Sequence, residues 1–346
     1  MIATSNQLQE FLQHYLPRAG GSFSMERCTG GRSNDSFRLR LGKEEVILRC
    51  PPEHMAADGT AHDVAREYFI LSRIFPSFGL VPRPMVLCED VSIMGRPFFI
   101  MEFVDGLILK NDIDHSVPFK EESFRSLSQN FVNVLIDIHS LDHRSMGLDV
   151  LGQPSGYVQR QINGWTRQYG RLTKATGIEL ASLNQMLDWL NRQQLSESSP
   201  CLVHNDFKYD NLVLDVEEGK VEITAVLDWE LATIGDPLLD LGGSLGYWVE
   251  AGDPAPMQEL NFSQRPGNFN REELITAYGR FRSVSNPVSL YIFGLVKIVC
   301  FSLQIWLRAS QAGTLTQEDD QRIRTLLKAI GRNGLRAVEL DRVSDL

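Results

Sequence analysis

The chain has 346 residues, 43% of them hydrophobic and 23% charged, which is ordinary for a globular protein and long enough for two packed domains. Its formal net charge of -10 argues against nucleic acid as a general partner, because binding to phosphates requires a concentrated basic surface. The five cysteines are scattered singly, so the sequence predicts neither a disulfide framework nor a structural zinc site.

Two segments bear on the cellular location. Residues 1–10 contain neither the basic nor the apolar region of a secretory signal. The apolar stretch at 290–307 approaches the length of a transmembrane helix, but Lys297 at its centre would cost roughly 2.5 to 3.5 kcal/mol on insertion. We therefore expect a cytoplasmic protein without a membrane partner, in which this stretch is a buried helix.

The first hundred residues predict a small antiparallel sheet. Short segments rich in β-forming residues are separated by turns that contain glycine, and one segment has apolar residues at helical spacing. The predicted elements are a helix at 6–16, strands at 23–28, 35–41 and 45–49, a helix at 63–75, and strands at 85–88 and 97–103.

From residue 120 onward the apolar residues recur with a period of about 3.6 residues, which indicates helices. One β segment interrupts this helical half, and its hairpin turn is at 217–220. The predicted elements are a long helix that starts at 120, helices at 156–171, 180–191, 271–282, 289–310 and 317–343, and strands at 201–204, 212–216 and 221–227.

The main chemical signal is the segment from His204 to Asn211, which has the form H-x-D-x-x-x-x-N and is flanked by apolar strands. Phosphoryl transfer to a hydroxyl needs a carboxylate that accepts the proton and an oxygen ligand that holds magnesium on the phosphates. Asp206 and Asn211 provide these groups, and Asp228 at the end of the next strand adds a second ligand suited to Mg²⁺. Either aspartate alone could be an ordinary turn residue, but the combined pattern predicts an ATP-dependent kinase.

With these residues the chain resembles the aminoglycoside phosphotransferase and choline kinase group, over nearly its whole length. Within that group it is most similar to the phosphotransferase domains related to those fused to some acyl-CoA dehydrogenases. The segments that carry the resemblance are G-G-R-S-N at 30–34, V-I-L-R-C-P-P at 46–52, A-R-E-Y at 65–68, G-Q-P-S-G-Y-V-Q-R-Q at 152–161, L-D-W-E at 227–230 and G-D-P-L-L-D-L at 235–241.

The resemblance implies an α+β fold of the protein-kinase-like, bilobal type. Residues 1–103 would form the nucleotide-binding lobe, a small antiparallel β-sheet with one helix, and residues 104–107 would form the hinge. Residues 108–346 would form the larger, mainly helical lobe, with the catalytic loop and the acceptor site.

The resemblance also implies roles for individual residues. Asp206 would be the catalytic base, Asn211 and Asp228 the metal ligands, and Lys208 either a cation that faces the transferred phosphate or a surface lysine. The residues implied for nucleotide binding are Gly30, Gly31, Arg32, Ser33 and Asn34 over the phosphates, Arg49 with Glu67 as its partner, and Glu102 and Val104 beside adenine.

Two positions depart from the pattern of the group. Asn205 replaces the glycine of the usual H-G-D, and asparagine tolerates unusual backbone angles. Arg49 stands where many kinases have lysine; arginine can still grip phosphate through two parallel hydrogen bonds, although its reach differs.

The sequence leaves the acceptor open, beyond a small molecule with a hydroxyl group. Arg160 and Arg167 lie on the face of the helix at 156–171 opposite its apolar stripe, where they form either a solvated basic face or a subsite for an acidic or hydroxyacyl-CoA-type acceptor. A cationic acceptor, such as an aminoglycoside or choline, is an alternative.

Two other classes of protein are weaker alternatives. A non-catalytic nucleotide-binding module would have no need of Asp206, Asn211 and Asp228 together. The run from Gly242 to Gly246 matches the G-x-S-x-G of serine hydrolases, but no histidine follows it in the chain, as that fold requires.

Overall fold

The computed structural model describes residues 2–15, 22–28, 34–52, 63–109 and 119–346. The chain divides into two compact units. The first unit comprises Met1–Gly106, Arg144–Leu148 and Thr224–Ala232, and the second comprises Leu107–His143, Asp149–Ile223 and Thr233–Leu346. The lobe boundaries and the hinge at 104–107 remain predictions.

The first unit contains an antiparallel sheet of five strands in the order β1-β2-β3-β5-β4. Its observed strands agree with the predicted ones to within one residue at each end. The elements of this unit are α1 (Ile2–Tyr15), β1 (Phe23–Arg27), β2 (Asp35–Leu41), β3 (Glu44–Cys50), α2 (Val64–Ile74), β4 (Pro84–Cys88), α3 (Val91–Met94) and β5 (Phe98–Glu102).

The two faces of this sheet differ because side chains alternate along a strand. Leu48 and Cys50 of β3 belong to a buried cluster that also contains Leu12 of α1. Arg49 lies between them in the sequence and therefore points to the other face, where it is 9% exposed. The sheet thus presents a buried cation on the face opposite α1.

Helix α2 carries an acidic residue within its buried stripe. Its first turn is capped by Asp63, whose side chain accepts a hydrogen bond from the amide of Arg66 at 3.0 Å. Its buried residues, at spacings typical of an amphipathic helix, are Val64, Glu67, Ile70, Leu71 and Ile74. Glu67 is only 1% exposed, and a glutamate is rarely buried to that degree without a partner.

The second unit is mainly helical, so the predicted α+β class is confirmed. Strand β6 pairs antiparallel with β9, and β7 and β8 form another two-stranded sheet. The remaining elements in chain order are α4 (Glu121–Ser140), α5 (Tyr157–Thr176), α6 (Ala181–Asn191), β6 (Cys201–Val203), β7 (Leu212–Glu217), β8 (Lys220–Val226), β9 (Thr233–Gly235), α7 (Pro237–Tyr247), α8 (Ala255–Gln258), α9 (Arg271–Gly279), α10 (Pro287–Gln311) and α11 (Gln317–Leu340).

Helix α10 is long and apolar enough to cross a membrane by length and composition alone, and 83% of its most apolar window is buried inside the structure. The predicted helix at 289–310 corresponds to it. This degree of burial is that of a core helix, as the sequence predicted for the stretch around Lys297.

Helix α7 was not predicted, and its packing explains the G-x-S-x-G match. A side chain at Gly246 would overlap the backbone of Gly294 in α10, so glycine allows the two helices to approach closely. Ser244 is 1% exposed and donates a hydrogen bond to the carbonyl oxygen of Phe207 at 2.8 Å. The motif therefore lies inside a packed helix, with its serine buried and bonded.

Candidate active site

The loop that follows β6 carries the predicted base, and one carboxylate holds its backbone. Asp240 of α7 accepts hydrogen bonds from the amides of His204 and Asn205, each at 2.7 Å. Asn205 has a left-handed backbone with φ of 66°, a conformation that asparagine adopts more readily than most residues with a side chain. This residue thus takes a conformation that also suits the glycine of the usual H-G-D.

Asp240 is itself held by a buried histidine. The Nε2 atom of His139 lies 3.1 Å from Oδ2 of Asp240, and its Nδ1 atom lies 2.7 Å from the hydroxyl of Tyr278. Burial alone would raise the pKa of the Asp240 carboxyl, but the hydrogen bond with His139 and the charges and amide nearby outweigh it and lower this pKa. Asp240 therefore provides a fixed negative charge to which the loop amides bind.

The predicted base and one predicted metal ligand lie together on this loop. The Nδ2 atom of Asn211 donates to the backbone oxygen of Asp206 at 2.8 Å and to its Oδ2 atom at 3.0 Å. A short helical turn, Tyr209–Asn211, brings the two residues together. Both bonds use the amide nitrogen, so neither occupies the amide oxygen of Asn211, the atom that the predicted metal role requires.

Lys208 belongs to the same cluster. Its Nζ atom lies 3.2 Å from Oδ2 of Asp206, 3.5 Å from Oδ2 of Asp210 and 4.5 Å from the ring centre of Tyr247. Burial disfavours the charged ammonium, but Asp206 and its other neighbours outweigh burial and raise the pKa of Lys208 well above its usual value. Lys208 is therefore a paired cation whose side chain is 15% exposed, and its role towards the transferred phosphate stays a prediction.

In the first unit, one guanidinium is surrounded by three carboxylates. The Nε atom of Arg49 lies 2.7 Å from Oε2 of Glu67, and its Nη2 atom lies 3.2 Å from Oε2 of Glu230. The same Nη2 atom also donates to Oδ1 of Asp228. We call these four residues the arginine cluster.

The charges of the arginine cluster are strongly coupled. Burial disfavours the charged form of Arg49, but the three carboxylates outweigh it and raise the pKa of the guanidinium. Burial raises the pKa of Glu67 to about 7, against the opposing effect of Arg49. With three acidic groups for one fixed cation, the cluster has an excess of negative charge when its carboxylates are ionised.

Glu230 was not predicted as a site residue, although the segment L-D-W-E contains it. It is 5% exposed, and its Oε2 atom accepts a hydrogen bond from Nδ2 of Asn34 at 2.9 Å in addition to its contact with Arg49. Asn34 is the one predicted phosphate-loop residue that the structure describes, at 2% exposure. The other four, Gly30, Gly31, Arg32 and Ser33, lie outside the described residues.

The remaining predicted residues are exposed or half-buried. Glu102 is exposed, with its Oε2 atom 3.3 Å from the amide of Arg83, and Val104 is half-buried. Arg160 and Arg167 are both exposed on α5, and the guanidinium of Arg160 bonds to backbone oxygens just before its own helix. The structure brings neither arginine to the catalytic loop by any described contact.

The described residues contain no cluster of three or more histidine, cysteine, aspartate or glutamate side chains arranged to hold a metal ion. A magnesium ion that acts on a nucleotide needs no such cluster, because it is usually held by one or two protein oxygens together with phosphate oxygens and water. The donor set predicted for the metal, one amide oxygen and one carboxylate, is of that kind.

Comparison with known proteins gives a consistent picture. The profile of a family described as "Phosphotransferase enzyme family" matches residues 24–274. Acyl-CoA dehydrogenase family member 11 from Gallus gallus is 31% identical over 343 residues, which are 95% of this chain and 42% of that protein. Acyl-CoA dehydrogenase family member 10 from Mus musculus is 34% identical over 257 residues, 73% of this chain and 23% of that protein. The chain therefore spans less than half the length of these relatives.

Solved structures confirm the predicted protein-kinase-like fold class. A Ralstonia eutropha protein provisionally assigned to the aminoglycoside phosphotransferases has a TM-score of 0.75 at 24% identity, covering 96% of this chain and 98% of that one. Aminoglycoside phosphotransferase APH(4)-Ia, solved with AMP-PNP and hygromycin B, has a TM-score of 0.59 at 19% identity, covering 94% and 98%. The family match over residues 24–274 and the relatives at 31% and 34% identity confirm the resemblance inferred from the sequence.

Proposed function

Because the chain belongs to the phosphotransferase enzyme family, we propose that it transfers the γ-phosphate of ATP to a hydroxyl group of a small molecule. The observation that carries the proposal is the pair of hydrogen bonds that joins Asp206 to Asn211, with the Asp206 side chain 12% exposed. An accessible carboxylate beside an amide ligand provides a proton acceptor and a metal contact on one loop. Solved proteins of this fold bind GDP, ADP or AMP-PNP, which supports the use of a nucleotide.

On the catalytic loop, Asp206 is the base that orients the acceptor hydroxyl and receives its proton. Asn211 is a magnesium ligand through its amide oxygen. Lys208, held by Asp206 and Asp210, places a positive charge where negative charge develops on the transferred phosphoryl group. Asp206 contacts the side chains of both other residues.

On the first unit, Arg49 binds the α- and β-phosphates, and Glu67 holds its guanidinium in place. Asp228 is the other magnesium ligand, and the excess negative charge of the arginine cluster is the observation that favours a cation beside it. When bound, magnesium would neutralise charge on the phosphates.

The other nucleotide contacts are proposed from the family pattern. Asn34 is buried and bonded to Glu230, so the end of the phosphate loop is tied to a partner of Arg49. The backbone of this loop, with Gly30, Gly31 and Ser33, would approach the phosphates. Glu102 and Val104 would meet adenine through their backbone groups.

For the acceptor we favour an acidic or hydroxyacyl-CoA-type compound. The similarity to acyl-CoA dehydrogenase family members 10 and 11 supports this class, since in these relatives the segment that matches this chain is part of a longer protein. Arg160 and Arg167 are exposed and could meet an anionic part of the acceptor. We place this reaction in the cytoplasm, without a nucleic acid or membrane partner.

A cationic acceptor is the second candidate. It is favoured by the structural neighbours that were solved with hygromycin B or kanamycin. A non-catalytic nucleotide-binding module is a candidate of another class, and it would bind ATP without turnover.

A panel of acceptors separates these three candidates. The purified protein with ATP and Mg²⁺ is offered hydroxyacyl-CoA thioesters, hydroxy acids, choline and aminoglycosides, and phosphomonoester products are detected by mass spectrometry. We expect products from the acidic group. If only choline or aminoglycosides gave products, the acceptor would be cationic and the acidic class would be wrong. Nucleotide binding without any product would contradict the enzyme assignment.

A further inference from the structure

The residue before the proposed base, Asn205, is held through three of its polar groups by three different helices. Its amide donates to Oδ1 of Asp240 on α7 at 2.7 Å. Its carbonyl oxygen accepts from Nζ of Lys297 on α10 at 2.6 Å, and its Oδ1 atom accepts from the hydroxyl of Tyr157 on α5 at 3.2 Å. Since Asp206 follows directly, these contacts restrain the peptide that carries the base.

The contact with Tyr157 exists only because this position is asparagine. Glycine has no side chain that could accept the bond, although it would adopt the same left-handed backbone more easily. The Tyr157 ring is 5% exposed and lies against Gly235, where any side chain would overlap the ring. The ring is therefore fixed on both sides, and the bond gives Asn205 a rigid partner.

Lys297 is the most unusual of the three partners. It is 3% exposed within a helix whose other buried residues are all uncharged, and no described carboxylate lies within ion-pair distance of it. The centres of the Trp165 and Phe293 rings lie 5.8 and 5.9 Å from its Nζ atom. Burial of an ammonium without an ion-pair partner typically costs several kcal/mol, so a well-packed apolar residue would be expected here if stability alone mattered.

The charged groups that act on Lys297 are those of the catalytic loop. Burial lowers its pKa, while Asp206 and Asp240 act in the opposite direction and Lys208 adds to the lowering. Its ammonium thus sits within the field of the proposed base and of the carboxylate that holds the loop. It offsets part of their negative charge from a position fixed by α10.

We propose that Lys297 is a positioning residue for phosphoryl transfer: through the Asn205 carbonyl it fixes the peptide that carries Asp206, with Tyr157 as a second restraint on the same residue. Lys297 takes no proton from the acceptor. The inference rests on the proposed role of Asp206 and adds two residues, Lys297 and Tyr157, to which the sequence analysis assigned no role in the site.

Replacement of the ammonium by an apolar side chain of similar length tests this role. Lys297→Met should lower kcat about 10- to 100-fold, because small displacements of a reacting group cost rates of that order. The affinity for AMP-PNP should stay within about two-fold, because ground-state nucleotide binding does not use this residue. The midpoint of thermal unfolding should stay the same or rise, because a buried unpaired charge is removed. Lys328→Met, which removes an exposed lysine from α11, is the matched control and should change neither quantity.

The second restraint is tested by a double-mutant cycle. Tyr157→Phe and Asn205→Gly each remove the same hydrogen bond, so each should lower kcat several-fold and the double variant should be no worse than the poorer single variant. Turnover is measured as formation of ADP from ATP, with water as acceptor and with three five-carbon alcohols whose far end is a carboxylate, a hydroxyl or an ammonium.

The outcomes separate the inference from the proposed function. If wild type shows turnover and Lys297→Met is equally active, the positioning role is overturned and the proposed function is not. A fall in the unfolding midpoint of Lys297→Met in parallel with its activity also overturns it, because Lys297 would then be needed for folding. A wild type with no turnover for water or any of the alcohols, under conditions where nucleotide binds, overturns the proposed function and this inference with it.

Discussion

The catalytic loop of the second unit and the arginine cluster of the first unit hold their functional groups by different means. Asp206 is kept in place by one neutral amide, one lysine and a restrained backbone. Arg49 is held by three carboxylates. The two side chains are almost equally little exposed, at 12% and 10%, so the regions differ in how many charges meet at the functional group and not in its exposure.

This difference predicts how substitutions will behave. A change of Asp206 removes chemistry and leaves folding and nucleotide affinity in place. Changes in the arginine cluster leave buried charges without partners, so they reduce stability and nucleotide binding together.

The largest effect on rate is expected for Asp206→Asn. Turnover should fall about 10²- to 10⁴-fold, since the variant keeps the shape of the loop and loses the base. Affinity for AMP-PNP, measured by calorimetric titration, should stay near that of wild type. Asp215→Asn, at an exposed position on β7, is the control. Turnover of Asp206→Asn within a few-fold of wild type would remove Asp206 from its role.

The largest effect on stability is expected for Arg49→Ala. It leaves three carboxylates without their shared cation, so the free energy of unfolding in urea should fall by about 3 to 5 kcal/mol, and nucleotide binding should be lost. Arg49→Lys should be intermediate, because lysine makes one compact contact where arginine makes several. Arg40→Ala, at an exposed position on β2, should remain close to wild type in both the free energy of unfolding and nucleotide binding. If Arg49→Ala kept its nucleotide affinity, the binding role would be excluded.

Asp228→Ala should remove the part of nucleotide binding that depends on magnesium. For wild type, nucleotide at about one hundred times its Kd should add about 2.7 kcal/mol of stability in the presence of Mg²⁺. In the variant, nucleotide should add less stability, as little as it adds to wild type when EDTA has removed the magnesium. Equal protection of variant and wild type by Mg²⁺ with ATP would show that Asp228 is not a metal ligand.

Glu67 predicts a dependence of stability on pH. Its folded pKa of about 7 lies above its ordinary value of 4.5, so between these values the folded state binds more protons than the unfolded state. Stability should therefore fall as pH rises through this window, by about 1 to 3 kcal/mol relative to Glu67→Gln. The measurement is urea unfolding of both proteins from pH 5 to pH 8. Parallel curves would mean that Glu67 remains ionised throughout.

The smallest effects are expected on α5. If the exposed arginines meet the acceptor, Arg160→Ala and Arg167→Ala should raise the acceptor KM a few-fold without changing nucleotide affinity. Lys174→Ala on the same helix should change neither. Unchanged acceptor kinetics in both arginine variants would assign this face to solvent.

The sheet of the first unit could be predicted from the sequence because turns and alternating residues are local signals. Helix α7 could not, since it is buried on nearly every side and rich in glycine, and it therefore shows no apolar stripe. In the same way, local motifs identified Asp206 and Asn211 at fixed spacing. The roles of Glu230, Asp240 and Lys297 depend on partners more than thirty residues away in the chain, which spacing alone does not indicate.

The central claim is that this chain moves a phosphoryl group from a nucleotide to a hydroxyl and that Asp206 performs the proton transfer. The most direct measurement is transfer of label from γ-labelled ATP to the best acceptor of the panel by wild type and by Asp206→Asn, both saturated with nucleotide and Mg²⁺. We predict a labelled phosphomonoester with wild type and at least about 10²-fold slower formation with the variant. Equal rates, or label that stays on ATP with wild type although nucleotide is bound, would contradict the account.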